Sequence, residues 1–308
     1  MAIRDLKSLY VEENRIDSYT EFAAQVGMGS TATSELDSLT YTAAEMAYTR
    51  GDTKEAKASL QKYLQQYPNG RYHLDAAYYL GCIDYTQDNY ADARRHLKQV
   101  ADAHSSRYCE EATRLLADIT YNHKDYADAA DVYRQLKGIA SRSELRLYAQ
   151  QQLVRCAVKL DNQEEVIAEA TPLLADKRLD ADAAIEMRYL RGKAYFEREA
   201  DADAAADFAI LAKDMRSAYG AEAAYLLADI RYEGGDLAAA RSQAEALTSS
   251  GTSHVYWVAR AFILLSDICR QEGNTTMARA YLNSLKQNYT NSNDDILSTV
   301  EHKLAELK

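Results

Sequence analysis

Small side chains recur along this chain at a nearly constant interval, and this repetition constrains the fold more than any other feature. Successive members of the first column lie 36 to 38 residues apart. A period of 20 to 50 residues is typical of proteins that stack identical supersecondary units. The column consists of Ala44, Gly81, Ala117, Val154, Gly192, Ala228 and Ser266.

A second column of small residues follows each member of the first by twelve residues, or by thirteen in the fifth repeat. Apolar residues then follow it at +4 and +7, which is one face of an α-helix. Two antiparallel helices approach closely only where their side chains are small, so the two columns predict a helical hairpin per repeat. The second column consists of Ala56, Ala93, Ala129, Val166, Ala205, Ala240 and Ala278.

Turn residues separate the two columns, as in Gly51-Asp52 and Gly273-Asn274, and suit a helix end followed by an N-cap. The chain has only 2 Pro and 12 Gly, which favours helices joined by short turns. We therefore predict an all-α, right-handed α-α superhelical solenoid of about seven hairpins. Pro172 should kink or end the second helix of the fourth repeat, and the fifth turn should be one residue longer.

The second repeat has the residue pattern of a known family. In YYLGCIDYTQDNYADARRHLKQV, Leu80-Gly81, Tyr85, Tyr90, Ala93 and Leu97 resemble the tetratricopeptide repeat (TPR), and Pro68 matches its closing proline. The long period and the Tyr-Pro loop resemble bacterial cell-envelope TPR proteins, such as outer-membrane assembly lipoproteins and the Tol–Pal coordinator. The period of about 37 rather than 34 residues and the missing early tryptophan put a standard peptide-carboxylate clamp in doubt. The resemblance covers 40–293 and implies protein binding without catalysis.

The remaining segments flank these seven TPR-like repeats. In 1–39 we predict two helices and a Gly/Ser/Thr loop, with Ser34 or Asp37 capping the next helix. These helices are the tail of an upstream repeat or an off-register repeat. Residues 294–308 should form a C-terminal capping helix that starts at Asp294 or Asp295.

Charge and motifs argue against several classes of function. The net charge is −11 and no basic cluster is present, so we expect no nucleic acid as a partner. No apolar run is long enough to span a membrane, and no signal peptide is visible. Neither the six His nor the four Cys show metal spacing, and no catalytic motif is present. We expect no metal, no cofactor, no enzymatic activity and buried thiols.

Tyrosine is unusually abundant, with 24 Tyr against 4 Phe and 1 Trp. Many fall three residues before or four after the first small column, where a first helix should face the concave side of the solenoid. Tyrosine suits recognition because it offers a large area, few rotatable bonds and a polar tip. The same residues also suit packing between repeats. This tyrosine row comprises Tyr41, Tyr48, Tyr78, Tyr85, Tyr121, Tyr189, Tyr225 and Tyr232.

The middle repeats interrupt the row with basic residues. Arg114, Arg155 and Lys193 predict a small basic patch that would meet an acidic peptide or a C-terminal carboxylate. We therefore predict a scaffold or adaptor that binds a partner peptide or domain in its groove. A structural spacer or homotypic assembly module, and a glycan- or small-ligand-binding repeat protein, are the alternatives. The compartment is unknown; the resemblance favours the cell envelope or periplasm, with the cytoplasm as the alternative.

Overall fold

The computed structural model describes residues 2–27 and 33–307, and in these residues it contains seventeen α-helices and no strand. The chain divides into two compact units, 1–152 and 153–308, and the division falls within the ninth helix. The predicted all-α helical-repeat class is confirmed. The first eight helices are α1 (Ala2–Glu12), α2 (Ile16–Gln25), α3 (Thr33–Thr49), α4 (Thr53–Gln66), α5 (His73–Thr86), α6 (Tyr90–Ala101), α7 (Cys109–Asn122) and α8 (Tyr126–Ile139).

The ninth helix, α9, carries the first small residue of the fourth repeat and is followed by eight more helices in the second unit. The remaining helices are α9 (Ser143–Lys159), α10 (Gln163–Ala175), α11 (Ala181–Glu197), α12 (Asp201–Leu211), α13 (Ala218–Glu233), α14 (Leu237–Ser249), α15 (Val255–Gln271), α16 (Thr275–Asn288) and α17 (Ile296–Glu306).

Consecutive helices pack on one another from α1 to α8 in the first unit and from α10 to α17 in the second. Within these two runs, each hairpin also rests on the second helix of the hairpin before it. The first small column is buried from Ala44 to Ser266. A Cβ atom added at Gly81 would lie 2.7 Å from Leu97 Cγ, so the glycine is what lets α5 and α6 approach this closely. The hairpin predicted from the small columns is confirmed in the first three and the last two repeats.

The fifth repeat corrects the predicted register. Ala204 and Phe208 are fully buried, whereas Ala205 is only partly buried and Ala209 is exposed. The second column therefore lies twelve residues after Gly192, as in the other repeats, and the prediction of thirteen was wrong. The turn at 198–200 has three residues, like the turn at 87–89, so it is not longer either. Several neighbouring alanines in 202–206 fit the small column equally well by sequence, and the Phe208 ring decides between them by covering Gly192.

The turns between paired helices share one geometry. The residue before each N-cap has a left-handed backbone, with φ of +81° at Gly51 and +60° at Asp88. The predicted caps are present in several repeats; for example, the side chain of Asp52 accepts from the backbone N–H of Glu55, and that of Asn274 from Met277. Pro172 does not end its helix, because α10 continues to Ala175, with Leu173 fully buried beyond the proline.

The N-terminal helices α1 and α2 pack beside α3. Residues 28–32 of the predicted Gly/Ser/Thr loop lie outside the described residues. Ser34 and Asp37, the two predicted N-caps, do not cap α3, because the helix already begins at Thr33. Instead, Asp37 is buried and accepts hydrogen bonds from the Tyr63 hydroxyl and, at 2.9 Å, from the Arg71 backbone N–H. This carboxylate thereby fixes the loop that contains Pro68 against the first hairpin.

Candidate functional site

The structure divides the predicted tyrosine row into buried and accessible members. Tyr41 and Tyr225 are buried, with 3% and 7% of their surface exposed. The other six are partly exposed, and each lies on the first helix of its repeat. A buried ring offers no contact area to a partner, so only the second group can form a binding surface. Those six are Tyr48, Tyr78, Tyr85, Tyr121, Tyr189 and Tyr232.

Four members of the row stack on an aromatic residue of the next repeat. Tyr78 lies on Tyr108 with ring centroids 4.1 Å apart and planes 8° from parallel. Stacked aromatic pairs contribute about 0.5–1.5 kcal/mol beyond their buried area. The packing interpretation therefore holds for these rings. The other three pairs are Tyr41 with Tyr72 at 4.4 Å, Tyr189 with Tyr219 at 4.5 Å, and Tyr225 with Trp257 at 5.5 Å.

Sequence reasoning missed the partners in these stacks, although a signal was present. Tyr72, Tyr108, Tyr219 and Trp257 each stand nine residues before the small residue of their repeat. These four aromatic residues form a further column, which Leu145 and Ala183 interrupt in the fourth and fifth repeats.

The densest aromatic surface lies on α5, with contributions from α3 and the start of α7. Tyr48 and Tyr79 have ring centroids 4.5 Å apart, and Tyr79 lies 5.6 Å from Tyr108. Tyr78 joins the same group by stacking on Tyr108. All four rings are partly exposed. We call these four residues the tyrosine cluster.

Hydrogen bonds fix two hydroxyl groups of the tyrosine cluster, those of Tyr79 and Tyr108. The Tyr79 hydroxyl lies 2.7 Å from that of Tyr108 and donates to the Glu45 carboxylate at 3.1 Å. Arg107 covers the Tyr108 ring at 4.7 Å and pairs with Asp75 at 2.8 Å. Burial raises the pKa of Asp75, although Arg107 opposes the rise. The cluster is thus a rigid aromatic surface bordered by carboxylates.

Each residue of the predicted basic patch is already paired with a carboxylate. Arg114 contacts Glu111 and, at 2.7 Å, Asp118, and its hydrogen bonds lower the pKa of Glu111. Arg155 binds Glu186 through two nitrogens, at 2.9 and 2.6 Å. The Lys193 ammonium lies 3.1 Å from Glu222. Glu186 and Glu222 follow Arg155 and Lys193 by about one repeat. Because all three cations are paired, the positive charge available to an acidic ligand is smaller than the sequence predicts.

A buried carboxylate explains why arginine interrupts an apolar column of the fifth repeat. Asp207 is 2% exposed and accepts from Arg191 at 2.8 Å and from Arg188 at 3.1 Å. Because a buried charge is costly without a partner, Arg191 stands where five other repeats carry leucine and the first carries Ala43. The corrected register is what places Asp207 against α11.

The described residues show no cluster typical of a metal centre. Within 2–27 and 33–307, no group of three His, Cys, Asp or Glu residues could hold a metal ion. All four cysteines are described and form no disulfide; three are buried and Cys82 is partly exposed. In the same part of the chain, no helix is long and apolar enough to cross a membrane.

Family models described as Tetratricopeptide repeat match residues 37–70, 78–144 and 225–293. Together these matches span more than half of the chain. The chain belongs to the tetratricopeptide repeat family. Proteins of this family serve as protein-interaction scaffolds, and this chain is a scaffold of that general kind. No curated protein matches the sequence.

Similar solved structures have low sequence identity to this TPR protein. In the structure of Naa15/Naa10 bound to HypK-THB, the matching chain has a TM-score of 0.55 and 12% identity, with 88% of this chain and 39% of that chain covered. A tetratricopeptide repeat protein from Parabacteroides merdae gives a TM-score of 0.46 and 14% identity, with 90% of this chain and 99% of that chain covered. BtubC from P. vanneervenii gives a TM-score of 0.48 and 15% identity, with 67% of this chain and 92% of that chain covered. At 12% identity, the similarity to the Naa15/Naa10 structure supports the fold alone.

Proposed function

We propose that this protein is a non-catalytic scaffold that binds a partner peptide or domain on the exposed faces of its first helices. The observation that carries the proposal is the tyrosine cluster of Tyr48, Tyr78, Tyr79 and Tyr108. Its rings are half exposed while their packing and hydroxyl bonds are already formed. A surface that is ordered before binding loses little conformational entropy when a partner binds.

Tyrosine packing and tyrosine recognition use different atoms of the same ring. In the stack of Tyr78 on Tyr108, one face of each ring is covered by the other, and both residues remain partly exposed. Aromatic residues are enriched at the centres of protein interfaces and dominate the energy of binding. The stacks between repeats therefore support the binding surface by holding its rings in place.

The accessible members of the tyrosine row, together with three paired cations, form the proposed partner-binding set. Tyr41 and Tyr225 contribute by positioning the neighbours on which they stack. The cations serve as orienting groups, because their carboxylate partners limit their net charge. The residues in direct contact would be Tyr48, Tyr78, Tyr85, Tyr121, Tyr189 and Tyr232, together with Tyr79 and Tyr108 of the tyrosine cluster, and Arg114, Arg155 and Lys193 lie beside them.

Affinity capture followed by site-directed variants tests this proposal. The full chain is immobilised, proteins retained from an extract of the source cells are identified by mass spectrometry, and the main partner is purified for calorimetry. We expect the double substitution Tyr85→Ser and Tyr121→Ser to weaken binding by about tenfold or more, because two interface tyrosines are lost. Both side chains are half exposed on α5 and α7, and their removal leaves the buried columns intact.

The matched control replaces Gln61 and Gln65 by Ser. These side chains are exposed on the second helix α4 and pack against no buried column. The control should bind like the wild type. An equal loss in both double variants would show that binding does not use the face of the first helices and would contradict the proposal.

A further inference from the structure

The fourth repeat lacks an aromatic pair that the second and third repeats carry. Four residues after the small column, the other first helices carry Tyr48, Tyr85, Tyr121, Phe196 and Tyr232, with Arg270 in the last repeat. Tyr85 and Tyr121 contact the first residue of the following helix, Tyr90 or Tyr126, with ring centroids 6.2 and 5.3 Å apart. The fourth repeat has Val158 and Gln163 at these two positions. Two rings are thereby replaced by one short apolar side chain and one amide.

A pocket of about 190 Å³ lies where these rings are missing. Its floor includes Val166 and Ala194, which are 2% and 3% exposed, and its wall includes Leu190 and the Tyr189 ring. Val158 is 40% exposed at the edge. A dry apolar cavity of about 150 Å³ is large enough to bind benzene. This pocket therefore has room for one aromatic side chain.

The edge of the pocket carries negative charge. The Gln163 amide nitrogen donates to both Asp161 and Glu197, at 2.7 Å each, so the two carboxylates converge on one point. Lys193 also lines the pocket, but its ammonium lies 3.1 Å from Glu222, which also accepts from the Tyr189 hydroxyl. Among the described residues, neither Asp161 nor Glu197 is paired with Lys or Arg. An ammonium or guanidinium group has the charge that complements this edge.

We propose that this pocket, which we call the Val158 pocket, receives an aromatic side chain of a partner protein, followed by Lys or Arg. The inference rests on the proposed scaffold function and names the chemistry of the partner at one place on it. The aromatic ring fills the volume that the protein's own tyrosines fill in the second and third repeats. The adjacent cation lies against Asp161 and Glu197, beside the Gln163 amide.

Short peptides test the proposal on the full chain. The probe is acetylated and amidated Gly-Ser-Phe-Lys-Ser-Gly, and binding is followed by amide chemical shifts in a ¹H–¹⁵N NMR titration. We expect shifts concentrated in 158–166 and 189–197. Replacing the probe's Phe by Ala should weaken binding by about tenfold or more, because the buried apolar area is lost. Replacing its Lys by Glu should weaken binding by about fivefold, which is typical of a lost exposed ion pair.

Val158→Tyr is the sharpest variant, because it introduces the residue that most other repeats carry at this position. The added ring should occupy the pocket and weaken probe binding by about tenfold. Leu160→Tyr is the matched control, since Leu160 is 42% exposed nearby and does not line the pocket. Asp161→Asn combined with Glu197→Gln should weaken binding by about fivefold, whereas Glu233→Gln, an exposed carboxylate elsewhere, should not.

Two results would overturn the proposal. One is probe binding that Val158→Tyr and Leu160→Tyr change equally; the other is the absence of shifts around the pocket up to millimolar probe. Neither result depends on the capture experiment with Tyr85 and Tyr121. If the partner binds through Tyr85 and Tyr121 but the probe does not bind in the Val158 pocket, the proposed scaffold function stands and the proposal for the pocket is wrong.

Discussion

Asp37 in residues 1–152 and Asp207 in residues 153–308 are both buried carboxylates, and different chemistry stabilises them. In residues 1–152, Asp37 accepts from the Tyr63 hydroxyl and, at 2.9 Å, from the Arg71 backbone N–H. In residues 153–308, Asp207 is bound by two guanidinium groups. Tyrosine hydroxyls satisfy a carboxylate without cancelling its charge, whereas arginines cancel it. One repeat fold thus accommodates both solutions, and they should respond differently to substitution and to pH.

The largest expected effect comes from neutralising the buried carboxylate of the second unit. Asp207→Asn leaves Arg188 and Arg191, which are 23% and 16% exposed, without their counter-charge. We expect a loss of about 2–3 kcal/mol in the free energy of unfolding, because breaking a buried ion pair leaves an uncompensated charge. Urea unfolding followed by circular dichroism measures it.

The matched substitution in the first unit is Asp37→Asn. The two donors use different oxygens of Asp37, so an amide oxygen can still accept from the Arg71 N–H while the amide nitrogen replaces the acceptor of the Tyr63 hydroxyl. Because one neutral hydrogen bond is lost and no charge is left unpaired, we expect a loss of about 1 kcal/mol. If Asp37→Asn costs as much as Asp207→Asn, the distinction between these two carboxylates is wrong.

Removing a single tyrosine hydroxyl from each unit should give the next largest difference in the free energy of unfolding. Tyr63→Phe removes the donor to Asp37 and the acceptor of the Tyr72 N–H at 3.0 Å, so we expect a loss of about 1–2 kcal/mol. Tyr189→Phe in the second unit leaves Glu222 paired with Lys193, and we expect about 0.5 kcal/mol or less. Unfolding curves of the two variants, measured side by side, sharpen the comparison. A larger loss from Tyr189→Phe would contradict it.

The smallest effect is a dependence on alkaline pH. Burial, with the hydrogen bond to Asp118, raises the pKa of Tyr148 to about 12. Between about pH 10 and about pH 12 an unfolded chain loses this proton while the folded chain keeps it, so the contribution of Tyr148 to stability falls as the pH rises. We therefore expect Tyr148→Phe to destabilise the protein by about 1 kcal/mol near pH 9 and by less near pH 11. Unfolding at the two pH values measures this, and a constant difference would contradict the assigned cause.

Much of the fold could be predicted from the sequence because the helix crossings admit few residue types. Gly81 has Leu97 against it and tolerates no side chain without a shift, so its column stands out. The fifth repeat was misplaced because the alanines of 202–206 all satisfy that steric condition. Only the contacts of Phe208 and Asp207 distinguish between the registers, and these contacts join residues whose pairing the pattern does not reveal.

The candidate site was less predictable than the fold. The tyrosine row lies on the first helices as expected, but burial of Tyr41 and Tyr225 depends on stacking partners from the next repeat. The pairing of Arg155 with Glu186 and of Lys193 with Glu222 depends likewise on neighbours about thirty residues away. Periodicity predicts which face a residue occupies, whereas the neighbours of that face decide whether the residue is available to a ligand.

Hydrogen–deuterium exchange of the full chain, with and without its captured partner, tests the central claim most directly. If the first helices form the binding surface, the partner should slow exchange in α5 and α7, around Tyr78, Tyr85 and Tyr121, and leave the second helices α4 and α6 unchanged. Protection confined to the second helices, or to none of these helices, would contradict the account.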